Sequence, residues 1–194
     1  MHKGRLEAFS DGVLAIIITI MVLELRPPEG TSLATLKPLL PKFISYVLSF
    51  TYVAIYWNNH HHLFQAVKRV NGKVLWRNTF LLFFFFFVPF VTGWMGENHF
   101  ASLPVALYGF VLLLCGIAYY FLLHALMGLH GKDSFLSRWI GNDFKGKISV
   151  LIYVVGIAVS FFSPWVSFGL YCSVALVWFI PDRRIEKHLP EEKI

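Results

Sequence analysis

Six long apolar segments separated by short polar stretches dominate this sequence of 194 residues. About 20 consecutive apolar residues in a helix cross the hydrocarbon core of a bilayer, so these segments predict transmembrane helices. A β-barrel is disfavoured because its strands alternate over about ten residues. Charged residues make up 14% of the chain, against about 25% in soluble domains. The sequence predicts an all-α membrane protein, one domain over 1–194 with helices at about 6–25, 43–66, 75–95, 103–127, 147–163 and 165–181.

Proline marks two departures from simple spans. The segment 33–42, "LATLKPLLPK", is too short and proline-rich to cross a membrane, and we expect it at an interface. Five consecutive phenylalanines at 83–87 precede Pro89. They predict an apolar surface that faces lipid or another helix, with a kink at the proline.

Basic residues predict the orientation of the chain. With a cytoplasmic N-terminus, all but three of the 17 lysines and arginines fall on the inner side. The positive-inside rule therefore places both termini in the cytoplasm. Tryptophans support this, since Trp94 and Trp165 fall at the outer interface and Trp76 and Trp139 at the inner one. The three outer basic residues are Arg26, Lys37 and Lys42.

Several classes of protein are excluded. The net charge of +6 is spread between apolar runs rather than gathered into one patch, so nucleic acid is not an expected partner. Cys115 and Cys172 lie inside apolar runs and predict buried thiols rather than a disulfide. A small-residue cleavage site is missing before Pro27, so we expect the first helix to be retained rather than removed as a signal peptide. Nucleophile, phosphate-loop and dinucleotide motifs are also missing, and we expect no enzyme.

The first helix has two different faces. Helical residues rotate by about 100° each, so one face is an apolar stripe with a single threonine. Measured from Ile16, this stripe holds Arg5, Phe9, Gly12, Thr19, Ile20 and Leu23. Periodicity alone says only that the stripe touches lipid or other helices. The opposite side carries Glu7, Ser10 and Asp11, which in a bilayer require protein partners.

Helix topology predicts those partners. Helix 1 runs outward, helix 2 returns and ends in "YWNNHHHLF" at 56–64, and helix 3 begins with "LWRNTF" at 75–80. The antiparallel order brings these polar groups to one depth. The expected layer comprises Ser10, Asp11, Asn58, Asn59, His60, His61, His62, Trp76 and Asn78.

The histidine run does not predict a metal site. Consecutive helical residues diverge by about 100°, so His60, His61 and His62 cannot all reach one ion. Metal-binding helices favour i, i+4 spacing, and no second histidine box completes a ligand set. Structural hydrogen bonding is the expected role, with pH sensing as an alternative because histidine titrates near 6.5.

The same residues resemble a known family. Arg5-x-x-x-Phe9-Ser10-Asp11 followed by an apolar helix is similar to the signature of the transmembrane protein 175 family of potassium channels, found in endosomes and lysosomes of animals and in bacterial membranes. "YWNNHH" at 56–61, "LWRN" at 75–78 and "PFVTGWMGE" at 89–97 resemble its second- and third-helix patterns. Three histidines stand where the family has two, so the pair that takes the family's role is left open.

The resemblance implies a six-helix unit without a re-entrant carbonyl filter, and the sequence contains no T-V-G-Y-G. One repeat implies a homotetramer in the bilayer, in a bacterial plasma membrane, with helix 1 lining a central pore. The implied pore residues are Ile16, Thr19, Ile20 and Leu23. The implied network that clamps helix 1 comprises Arg5, Phe9, Ser10, Asp11, Asn59, His60, His61, Trp76 and Asn78.

The function that follows is passage of potassium and other monovalent cations, with no cofactor besides the permeant ions. Four isoleucines form an apolar neck that blocks ions by dewetting. Two alternatives remain open. One is a proton-coupled secondary transporter using Asp11 or His60/His61, because ionisable groups in membranes are functional candidates. The other is a membrane enzyme with a histidine-bound metal.

Overall fold

Helices account for every regular element among the residues that the computed structural model describes, which are 3–131, 134, 136 and 143–179. Seven α-helices and one 3-10 helix, Leu33–Leu39, follow in order along the described chain. The α-helices are α1 Lys3–Leu23, α2 Leu40–Gln65, α3 Gly72–Phe85, α4 Val88–Glu97, α5 Ser102–His130, α6 Phe144–Val159 and α7 Pro164–Phe179. The described helices begin and end within a few residues of the predicted segments, and the third segment is divided into α3 and α4. Residues 180–181 of the last one lie outside the described residues, as do Trp139 and the basic residues beyond 179.

The predicted third helix is broken in the middle. Its two parts, α3 and α4, are separated by Phe86 and Phe87, and Pro89 lies in the first turn of α4. Proline has no backbone N–H and cannot donate to the carbonyl of Phe85 four residues earlier. Phe87 N instead bonds Phe84 O at 3.1 Å, in the tighter 3-10 pattern. The kink that the sequence predicted is confirmed.

Four helical stretches of the described chain are long and apolar enough to span a bilayer. They are Lys3–Leu23, Leu33–Gln65, Gly72–Glu97 and Ser102–His130. Helices α6 and α7 each have 16 residues, so they are shorter than these four stretches. Residues 33–39 of the segment predicted for an interface form the 3-10 helix, none of whose residues is buried, and residues 40–42 are the first turn of α2.

Helix α5 lies at the centre of the bundle. It packs against α3 and α4 on one side and against α6 and α7 on the other, while α2 packs against α4 and α7. Helix α1 packs against α2, α3 and α4. The first helix therefore lies at the edge of the subunit, and only one of its sides packs against the other helices of the described chain.

Buried hydroxyl groups join the helices inside this apolar bundle. Tyr52 Oη donates to the carbonyl of Tyr171 at 2.6 Å, linking α2 to α7. Ser49 Oγ lies 2.7 Å from Thr92 Oγ1 and 3.0 Å from Tyr108 Oη, linking α2, α4 and α5. Water is absent from the hydrocarbon region, so a buried polar group there needs such a partner.

Candidate functional site

Helix α1 divides into a buried side and an exposed side. The buried side holds Leu6, Ser10, Val13, Leu14, Ile17 and Met21. On the other side Ile16 is 54% exposed, Ile20 40% and Leu23 74%, and Thr19 is exposed as well. These four residues belong to the stripe that the helical rotation isolated, whose other members, Arg5, Phe9 and Gly12, are exposed as well. The subunit itself leaves the stripe uncovered, so its partner must be lipid, another chain or water.

A chain of three side-chain hydrogen bonds fixes the buried side of α1. His60 Nε2 on α2 lies 2.8 Å from Asn78 Oδ1 on α3. Asn78 Nδ2 donates to Ser10 Oγ at 2.8 Å, and Ser10 Oγ donates to the carbonyl of Leu6 at 2.8 Å. All three side chains are buried, with Ser10 and Asn78 fully inaccessible. The chain ties α2, α3 and α1 together at one depth.

Donor counting gives this chain a direction. An amide Oδ1 only accepts, so His60 carries its proton on Nε2 and donates to Asn78. The single Ser10 proton is used on Leu6, which leaves the serine oxygen to accept from Asn78. The chain ends on a helix carbonyl. This geometry suits a structural clamp rather than a path for protons, because the last acceptor, a backbone carbonyl, has no proton to pass on.

Asp11 forms a second and more exposed contact. Its Oδ1 accepts from Trp57 Nε1 at 2.9 Å, and the Trp57 ring stacks on His61 with centroids 5.8 Å apart. Gln65 Nε2 donates to His61 Nε2 at 2.8 Å. Sequence reasoning gave Trp57 no role. The signal that was available is its i, i+4 spacing to His61, which places both rings on one side of α2.

The other residues expected in the polar layer lie apart from these two contacts. Asn59 Nδ2 donates to Ile55 O at 2.8 Å, and the backbone carbonyl of Asn59 accepts from Tyr119 Oη on α5 at 3.3 Å. Consecutive residues of a helix are rotated by about 100°, so the side chain of Asn59 points to a different side of α2 from that of His60. Trp76 is 77% exposed and forms no hydrogen bond within the described chain.

Arg5 and Phe9 are exposed on α1. Asn58 bonds only the carbonyl of Ala54, at 3.1 Å. His62 is half-buried, and its Nδ1 has no partner among the described residues. The structure therefore gathers Ser10, His60 and Asn78 at one point and leaves these residues around it.

Thr19 has an oriented hydroxyl on the exposed stripe. Its Oγ1 donates to the carbonyl of Ile16 at 2.8 Å. Because this bond uses the only hydroxyl proton, the oxygen offers lone pairs to whatever lies in front of α1. Such an oxygen suits a cation and not an anion.

Candidate metal ligands are not clustered in the described part of the chain. In the part of the chain that the structure describes, no three histidine, cysteine, aspartate or glutamate side chains lie close enough to hold an ion. Cys115 is buried and Cys172 half-buried, and both are free thiols.

Apolar spans with internally paired polar groups define an integral, multi-pass α-helical membrane protein. A family model described as "Endosomal/lysosomal potassium channel TMEM175" matches residues 5–89. A protein named a potassium channel from Chryseobacterium sp. (strain P1-3) is 58% identical over 191 residues, covering 98% of this chain and 100% of the relative. The chain belongs to the TMEM175 family, which is a family of ion channels and not of enzymes.

More distant relatives agree with this assignment. A potassium channel of Chamaesiphon minutus is 31% identical, covering 92% of this chain and 93% of the relative. The crystal structure of a lysosomal potassium-selective channel TMEM175 homologue from Chamaesiphon minutus has a TM-score of 0.77, at 30% identity, over 91% of this chain and 96% of that one. The human endosomal/lysosomal proton channel TMEM175 is 34% identical over 96 residues, which are 43% of this chain and 19% of the human protein.

Proposed function

We propose that four copies of this chain assemble around an axis lined by α1 and conduct potassium and other monovalent cations. The observation that carries this proposal is the division of α1. A buried side is bonded through Ser10 to Asn78 on α3, which is bonded in turn to His60 on α2, and an opposite apolar stripe is left uncovered by the subunit. The bacterial relatives named potassium channels support the choice of ion.

In this assembly Ile16 forms the neck. Four isoleucine side chains offer no hydrogen bond to an ion that has lost its water, so a narrow ring of them closes by dewetting. One turn further along, Thr19 presents hydroxyl oxygens with their protons turned away. These oxygens favour cations, and they favour potassium over sodium because potassium gives up its hydration shell more easily. No carbonyl filter takes part.

Opening requires the four α1 helices to tilt or turn until the neck is wet. The His60, Asn78 and Ser10 chain holds α1 against α2 and α3 at the inner end of the helix. Movement is therefore expected above this clamp, toward Ile20 and Leu23. The protein lies in a bacterial plasma membrane with both termini in the cytoplasm, and it needs no cofactor apart from the ions it passes.

Potassium flux from liposomes containing the purified protein tests this proposal, with Ile16→Asn as the decisive variant. A polar ring wets the neck, so we expect basal flux to rise about tenfold or more in this variant. Val22→Asn is the matched control, since Val22 is also exposed on α1 but lies about 120° from Ile16 around the helix. Unchanged flux in the Ile16 variant would place the gate elsewhere.

A proton-coupled transporter using Asp11 or His60/His61 is the second candidate. The human relative named a proton channel and the exposure of Asp11 favour it. It predicts transport that saturates with solute and loses its proton dependence in Asp11→Asn. Single-channel current steps exclude it, because a carrier cycles too slowly to produce them.

A further inference from the structure

An open cleft separates α1 from the kinked α3 and α4 segment. It encloses about 400 Å³, within the range of about 300–1,000 Å³ typical of small-molecule sites. Ile17 and Ile20 form one wall, and Phe86, Phe90 and Trp94 form the other. The Phe90 and Trp94 rings are stacked, with centroids 6.2 Å apart. The lining includes residues on both sides of the break before Pro89.

Charge is confined to one end of this cleft. Glu24 follows the last residue of α1, and Glu97 is the last residue of α4, so both carboxylates lie at the same end of the bundle. Lys42 pairs with Glu97 at 2.8 Å. The Glu24 carboxylate forms no hydrogen bond or ion pair with any described residue, while its backbone carbonyl accepts from Arg26 N at 3.0 Å. The nearby basic residues, Lys42 and Arg26, are not part of the lining.

This arrangement matches one class of ligand. An amphipathic ammonium ion carries its charge at the membrane surface and its alkyl chain in the hydrocarbon region, which is the order of polarity in the cleft. Aromatic walls also attract ammonium groups through cation–π contacts. A phospholipid fits less well, because its phosphate would face the Glu24 and Glu97 carboxylates.

We propose that this cleft binds monovalent amphipathic ammonium ions, with the head paired to Glu24 and the alkyl chain held between α1 and α4. The site goes beyond the proposed pore, with which it shares Ile20, and binding to it requires no ion flux. A second copy of the chain seated in the cleft is the competing occupant, and it would leave no space for the ligand.

Titration calorimetry tests the site with octyltrimethylammonium and protein in lipid nanodiscs, corrected for empty nanodiscs. We expect saturable binding by the natural chain. Glu24→Gln removes the charge at nearly constant volume and is expected to weaken binding about tenfold or more. Gly93→Leu fills the cleft with the same effect. A Cβ at Gly93 meets only the Glu24 side chain, at 4.0 Å, so α4 accommodates the larger residue.

Matched controls separate the site from general effects. Glu29→Gln makes the same charge change in an exposed loop on the same side. Gly169→Leu adds the same side chain on α7, where nothing lies within 4 Å. Both are expected to bind like the natural chain.

Three results would overturn the site. They are no binding above empty nanodiscs, equal binding by Glu24→Gln or Gly93→Leu, and equally tight binding of octyl sulfate. Calorimetry requires no ion flux. A protein that binds the ammonium but passes no potassium would refute the pore and leave the site in place, and the reverse result would do the opposite.

Discussion

Two neighbouring polar residues on α1, Ser10 and Asp11, differ in burial and in hydrogen-bond partner. Ser10 is fully buried and bonded to Asn78, whereas Asp11 is exposed and bonded to Trp57. A serine needs two modest partners in an apolar interior, but a buried carboxylate costs several kcal/mol unless it is fully paired. Because the two residues are rotated by about 100° around the helix, α1 buries the serine, which costs less free energy to bury, and leaves the charged aspartate exposed.

Asn78→Ala tests the clamp. It leaves the His60 N–H without an acceptor and Ser10 without its donor, and each buried unpaired group costs about 1–3 kcal/mol. We expect the free energy of unfolding, measured by SDS titration of the purified protein, to fall by about 2–4 kcal/mol. Thr79→Ala is the control, because Thr79 is exposed and bonds only its own helix, at Leu75. Equal stability of the two variants would contradict the clamp.

Tyr171 governs the contact of α7 with its two neighbouring helices. Its ring lies against Gly109 of α5 and Gly156 of α6, where a Cβ added to either glycine would overlap the ring. Tyr171 is itself fully buried. Glycines at these two points let the helix backbones approach closely, as in other membrane helix pairs. The close packing of α7 thus depends on two missing side chains.

Gly109→Ala tests this contact, and Gly128→Ala on the same helix is its matched control. The first forces the Tyr171 ring to move, and overpacking of this kind costs about 1–3 kcal/mol. The second adds a methyl group where nothing lies within 4 Å, so we expect no loss. Thermal unfolding followed by tryptophan fluorescence compares the two. A Gly109 variant as stable as its control would show that Tyr171 repacks freely.

The single subunit has two exposed apolar surfaces, and either one could face the axis of an assembly. The exposed stripe on α1 and the exposed surface of α7 are both apolar, and a bilayer can cover either one. The α1 stripe lies beside a fixed clamp and has an exposed, oriented hydroxyl at Thr19, whereas the comparable hydroxyl on α7, Ser173, is half-buried and bonded to Leu170 O at 2.6 Å. These features favour α1 at the axis and α7 at the periphery.

Cross-linking tests this placement. Leu23→Cys, in a chain whose Cys115 and Cys172 are replaced by alanine, puts four thiols near the axis if α1 lines the pore. A bifunctional maleimide should then give a ladder of products up to the tetramer on a denaturing gel. Leu176→Cys on α7 has a similar exposure, 68% against 74%, and should stay monomeric. A ladder from Leu176 and none from Leu23 would move α7 to the axis.

Sequence was sufficient for the features that depend on local physics. Hydrophobic run lengths predicted the helical segments, four of which are long and apolar enough to span a bilayer. Pro89 predicted the kink, and the rotation per residue separated the stripe at Ile16 from Ser10. The residues joined by hydrogen bonds depended on how whole helices turn against each other. That rotation brought Ser10 to Asn78 and Asp11 to Trp57, and it left the Asn59 side chain bonded to its own helix. Only packing sets it, because an apolar helix in an apolar solvent has no single face that must be buried.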